Sequence, residues 1–148
     1  MNTAKIDDSI TVLRLAPEVD DLQRLAAAGV KAVVNLRQAG EQGEKLSPRA
    51  EAEKAHASGL EYLHYPISPA DLTAATAKDF ADKLGRLPGP VAIHCASGRR
   101  AGLMGLASWA QRTGGDAAKA AERGRQSGLQ ISEVDLSPLL DASGADGR

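Results

Sequence analysis

Short runs of β-branched and aliphatic residues alternate along this chain with helical patterns, and that alternation restricts the fold more than any other feature. Residues 10–15, 31–36, 60–66 and 91–93 read as strands. Between them lie segments with helical periodicity and clear punctuation. Pro17 opens the first, with Glu18, Asp20 and Asp21 in its first turn, Val19, Leu22, Leu25 and Ala26 as its apolar stripe, and Gly29 as its stop. Ser47 and Pro48 start a second over residues 49–58, closed by Gly59. Thr73 caps a third that runs through Leu87, with Phe80, Leu84 and Leu87 on one face, and Pro88-Gly89-Pro90 stops it. Leu103, Leu106, Ala107 and Ala110 mark a fourth. Strand–helix repetition of this kind predicts an α/β fold, with a mostly parallel four-stranded central sheet flanked by helices. Residues 1–9 are polar and expected to fray, and residues 37–47 lack periodicity and read as a loop.

The last strand leads into the most informative stretch, His94-Cys95-Ala96-Ser97-Gly98-Arg99-Arg100, immediately before the fourth helix. A loop running from a strand into a helix N-terminus aims several backbone N–H groups at one point, and the helix dipole adds to them. It also falls at the carboxyl end of a strand, where ligands bind in such sheets. Cys95, the single cysteine, stands first in this loop. The helix start and a neighbouring guanidinium, Arg99 or Arg100, favour its thiolate form. Gly98 permits a tight turn, and Ala96 and Ser97 leave room for a ligand. A lone cysteine is more often a small core hydrophobe, but the residues around this one point to a nucleophile in an anion cradle. Strand alternation turns His94 away from the mouth, toward a supporting role with its ring bonded to local backbone.

The stretch resembles the His-Cys-x-x-Gly-x-x-Arg loop of cysteine-dependent protein phosphatases, with His94, Cys95 and Gly98 in place. The arginine departs from it: Ala101 stands where that pattern has arginine, and Arg100 comes one residue earlier. The shorter spacing is similar to the Cys-x-x-Gly-x-Arg/Thr loop of rhodanese-type sulfurtransferases. Both features together resemble the phosphatase-like domain of beta-lactamase-hydrolase-like proteins, over most of residues 10–112. The resemblance implies a cysteine-phosphatase-like fold, Cys95 as nucleophile, and Arg100 rather than Arg99 as the clamp on the oxyanion. It also implies an aspartate acid on a loop some tens of residues upstream, for which Asp71 is the candidate; a turn or cap role is the plainer reading of Asp71. Arg99, in the substrate loop, can equally be an exposed first-turn residue. Arg37, at the end of a strand on the cradle's side, is a further candidate for touching substrate.

Three functions fit. The first is hydrolysis of a phosphomonoester, on a protein or a small molecule, through a cysteinyl-phosphate. The second is sulfur transfer from a sulfane-sulfur donor through a Cys95 persulfide. The third is oxyanion binding without turnover. No cofactor is called for. His56 and His64 lack metal-ligand spacing, and Met104 and Trp109 read as core or cover. A formal net charge of −1 argues against a nucleic-acid or membrane surface as partner. No signal peptide or apolar run of spanning length is present, and one cysteine suits a reducing cytoplasm. The 148 residues, 43% hydrophobic and 25% charged, suffice for one domain. With only four aromatic residues, its core rests on Leu, Val, Ile and Ala. Asp116 begins another helix closed by Gly128, residues 132–142 add a turn or two, and the whole of 116–142 reads as a helical cover; residues after Ser143 are expected to be disordered.

Overall fold

The computed structural model describes residues 2–140, so the expectation for the residues after Ser143 lies outside it. Five strands form one sheet in the order β1-β2-β5-β3-β4. They are β1 (Thr3–Lys5), β2 (Ile10–Leu13), β3 (Ala32–Asn35), β4 (Glu61–His64) and β5 (Val91–His94). The four expected strands are mutually parallel, with β5 between β2 and β3. Asn35 and Leu13 flank His94 in register, so three strands end together at the cradle.

The fifth strand corrects the expectation of a frayed start. β1 pairs antiparallel with β2 at the sheet edge. Asp7 Oδ1 accepts the N–H groups of Ser9 and Ile10 and closes the hairpin. Ala4 and Ile6 are buried there. A three-residue polar strand with a single inward alanine carries no alternation to read, and tertiary pairing makes it.

Helices cover both faces. α1 (Val19–Ala27) and α2 (Pro48–Ala57) pack on one, through Leu13, Leu22, Leu25, Val33, Ala55 and Ala92. α3 (Ala74–Gly85), α4 (Arg99–Thr113), α5 (Ala117–Ser127) and α6 (Glu133–Leu140) build the other, around Val12, Val34, Ile93, Phe80, Met104 and Leu106. Residues of β5 alternate between these cores, Ile93 facing one and Ala92 the other, as the two-residue period of a strand requires. The expected caps form: Ser47 Oγ accepts Ala50 N–H, Thr73 Oγ1 accepts Thr76 N–H, and Asp116 Oδ1 accepts Lys119 N–H. The first helix begins later than Pro17 suggested, with Glu18 as cap in a capping box with Asp21. α3 stops at Gly85 rather than Leu87.

α4 is the central helix, with nine residues buried. Gly102 and Gly105 let it pack closely: a Cβ on Gly105 would stand 2.8 Å from Ile6 Cδ1, and one on Gly102 would stand 2.6 Å from Ile131 Cδ1. The helix that supports the cradle is thereby wedged between the N-terminal hairpin and the α5–α6 connection.

Candidate active site

β5 ends at His94, whose carbonyl accepts Leu36 N–H at 2.9 Å, and the chain turns through residues 95–98 into α4. Gly98 caps that helix in the left-handed region, at φ 97°. A Cβ there would meet Arg14 Cα at 3.4 Å, an ordinary contact, so it is the backbone conformation that asks for glycine. The turn brings two backbone donors onto one sulfur. Gly98 N–H and Ala101 N–H both point at Cys95 Sγ, at 3.2 and 3.3 Å. Cys95 is buried beneath the loop, while Ala96 and Ser97 are exposed at its mouth.

Arg100 closes the cradle. Its Nη1 and Nη2 donate to the two carboxylate oxygens of Glu41, at 2.8 and 2.7 Å, and Nη1 also donates to the Ile67 carbonyl at 2.9 Å. This bidentate pair holds Glu41 down to about 2 and raises Arg100, with the nearby Cys95 sulfur adding to the latter effect. Arg100 therefore stands as a fixed cation near the sulfur, with its guanidinium held on Glu41 and the Ile67 carbonyl.

Behind the loop, His94 does not bond local backbone as expected. Its Nε2 meets Glu51 Oε2 at 2.6 Å, and both side chains are buried, at 0% and 2% exposure. Beside them, Asn35 Nδ2 donates to the Tyr62 hydroxyl. Burial and then the Glu51 charge push that phenol's pKa up.

The other candidates separate. Arg37 is buried, with Nη2 donating to the carbonyls of Glu41 and Gln42, so it braces the loop that carries Glu41. It also lines, with Leu15, Ala16, Lys45 and Ala96, a cleft of about 400 Å³ beside the cradle. Arg99 leaves the cradle for Asp135 on α6, at 3.1 Å. Asp71 ends a 3-10 turn (Pro69–Asp71), where its Oδ2 accepts the N–H and hydroxyl of Ser68 at 2.8 and 2.9 Å. Those bonds hold its carboxyl below the usual range, so in this conformation it is an ionised cap. His64 Nε2 is bonded to the Arg37 carbonyl at 2.6 Å, a structural role. Among the described residues no cluster of three His, Cys, Asp or Glu could hold a metal ion.

Sequence reasoning missed Glu41 and Glu51. Glu41 lies in a segment with no period to read. Glu51 left one trace: it precedes the inward-facing Ala55 by four residues, which places a carboxylate on the buried side of α2.

A mostly parallel sheet clothed on both faces, with a cysteine loop between β5 and α4, defines a cysteine-phosphatase-like protein. The chain belongs to the beta-lactamase hydrolase-like protein, phosphatase-like domain family, whose model matches residues 6–115. Among curated relatives, it is 32% identical over 101 residues to a beta-lactamase hydrolase-like protein of Agrobacterium fabrum, covering 68% of this chain and 23% of that protein. The chain thus spans about a fifth of the length of the curated relatives it matches. Solved structures share the fold at lower identity. PTPMT1 aligns with a TM-score of 0.72 at 18% identity, covering 99% of both chains. TpbA of P. aeruginosa in complex with pTyr aligns with a TM-score of 0.65 at 22% identity, covering 93% of this chain and 80% of that one.

Proposed function

We propose that this domain is a cysteine-dependent phosphatase that hydrolyses phosphomonoesters through a cysteinyl-phosphate. The observation that carries the reading is the convergence on Cys95 Sγ of the Gly98 and Ala101 N–H groups, with Arg100 alongside. Donors that stabilise a sulfur anion also stabilise the equatorial oxygens of a phosphoryl group in transfer. The Cys95 thiolate attacks phosphorus, the bond to the ester oxygen breaks, and the alkoxide or phenoxide leaves. Water then attacks phosphorus, the P–S bond breaks, and orthophosphate and thiolate are released. Asp71 would protonate the leaving group only after release from its cap on Ser68, so aryl esters, which leave with little help, are the favoured substrates. The cleft beside Ala96 accommodates the organic part. TpbA in complex with pTyr supports an aryl phosphate, on a protein or free, as the substrate class.

One observation favours sulfur transfer as a second reading: Arg100 follows Cys95 by one residue fewer than the phosphatase pattern has, which shrinks the cradle and removes an amide. There the thiolate attacks the outer sulfur of thiosulfate, the S–S bond breaks and sulfite leaves. Cyanide then removes the terminal sulfur as thiocyanate and restores the thiolate.

Wild type and Cys95→Ser, assayed on p-nitrophenyl phosphate and on thiosulfate with cyanide, decide between the two. Cysteine-dependent phosphate release establishes the proposal. A one-sulfur gain in intact mass after thiosulfate, without phosphate release, replaces it with the second reading.

A further inference from the structure

We propose that Glu51 is a positioning residue for Cys95, acting through His94 from a different helix; the proposal takes from the preceding reading only that Cys95 is the reactive group. Glu51 is 2% exposed, and its Oε2 is bonded to a ring that is itself fully buried. The other buried residue of α2 is Ala55, so the helix packs on the sheet through small and apolar contacts. A carboxylate is the costliest side chain to place there, and packing alone gives no reason for it.

The ring supplies the reason. In the proposed arrangement Glu51 is the acceptor in the 2.6 Å contact and Nε2 of His94 carries the ring proton. Among the described residues His94 Nδ1 is buried without a hydrogen-bond partner, and Glu51 is the ring's one polar anchor there. The backbone of His94 is fixed between Leu13 and Asn35, and its carbonyl accepts Leu36 N–H. With backbone and ring both held, the next residue, Cys95, has its Cα and Cβ direction set. That direction sets how squarely Sγ meets the Gly98 and Ala101 N–H groups, so a loosened ring weakens their hold on the sulfur.

The other ionisable groups around this assembly are few. From β4 the Tyr62 phenol faces Glu51 and stays neutral, and Glu44 faces Tyr62 in turn. From α4 Arg100 faces Cys95, with its own charge countered by Glu41. None of these reaches the sulfur through His94.

The test is the pH dependence of iodoacetamide alkylation of Cys95, followed by intact mass in wild type, Glu51→Gln, His94→Asn and the double variant. Glutamine keeps the shape and removes the charge. The expected result is an upward move of the alkylation midpoint by about half a pH unit, read as roughly threefold slower alkylation below the midpoint. In the His94→Asn background, Glu51→Gln should add nothing. An unmoved midpoint in Glu51→Gln overturns the proposal, as does an equal shift with and without His94. Should Glu51→Gln fail to fold, the ring 15N spectrum of wild type decides: Nε2 of His94 must be protonated, and a bare Nε2 refutes the role. Neither readout needs phosphate turnover, so a protein inactive on p-nitrophenyl phosphate still tests the role of Glu51.

Discussion

Replacing Glu41 by glutamine tests whether the Arg100 clamp is as firm as its geometry implies. The carboxylate takes two guanidinium bonds, at 2.7 and 2.8 Å, and accepts Gln38 N–H at 2.7 Å. Together these move its pKa from 4.5 to about 2, with the Arg100 bond the largest cause. Taken whole, that displacement is worth about 3 kcal/mol near neutral pH. Solvent reaches both side chains, 18% exposed for Arg100 and 23% for Glu41, and screening reduces the figure to about 1–2 kcal/mol. The sign follows from the depressed pKa. The stabilisation is fully present above 4.5, the ordinary value, and is lost as pH falls through about 2. Glutamine imitates the protonated acid at every pH. Urea unfolding of wild type and Glu41→Gln should therefore differ by about 1–2 kcal/mol near pH 7, and by less than half of that near pH 3. Other carboxylates titrate in both proteins and cancel. A difference that does not change with pH, or a variant as stable as wild type near neutrality, would refute the charge-assisted clamp.

Three further outcomes follow from the same geometry. Gly98→Ala forces a Cβ into the left-handed region and should cost about 1–2 kcal/mol in urea unfolding. It should also slow phosphate release, because the Gly98 N–H leaves the sulfur. Asp71→Asn separates an acid from a cap: if the carboxyl protonates the leaving group, kcat for phenyl phosphate falls while that for p-nitrophenyl phosphate holds, and equal kcat losses leave Asp71 as a cap. Phe80→Ala removes a fully buried ring packed edge-on at 5.1 Å against Tyr65, and urea unfolding should show about 3–5 kcal/mol lost.

The parallel strands and both helical layers were legible because each rests on a local period that burial then used. Val33 and Val34 sit consecutively in a strand buried on both faces, as a continuous apolar run predicts. The Cys95 loop was legible for a similar reason, since a strand end, a glycine and a helix start are all local. What could not be read depends on contacts between segments far apart in the chain. β1 exists through its ladder with β2, and Glu41 meets Arg100 across 59 residues of sequence. Glu51 meets His94 across 43. Arg99, beside Arg100 in sequence, is drawn to Asp135 because consecutive helical residues point in different directions.

Those distant contacts also define the electrostatics of the cradle. Arg100 is neutralised by Glu41 before any substrate enters, and Arg37, the next cation of the cleft, is committed through Nη2 to backbone carbonyls. In the proposed reading, close-range hold on an oxyanion therefore leans on the directed N–H groups of the loop. Such donors act over hydrogen-bond distances and reward geometry rather than total charge. A loop shortened by one residue offers fewer of them, which raises the demand on the direction of the sulfur. The buried Glu51–His94 contact, placed directly behind Cys95, is where this fold meets that demand.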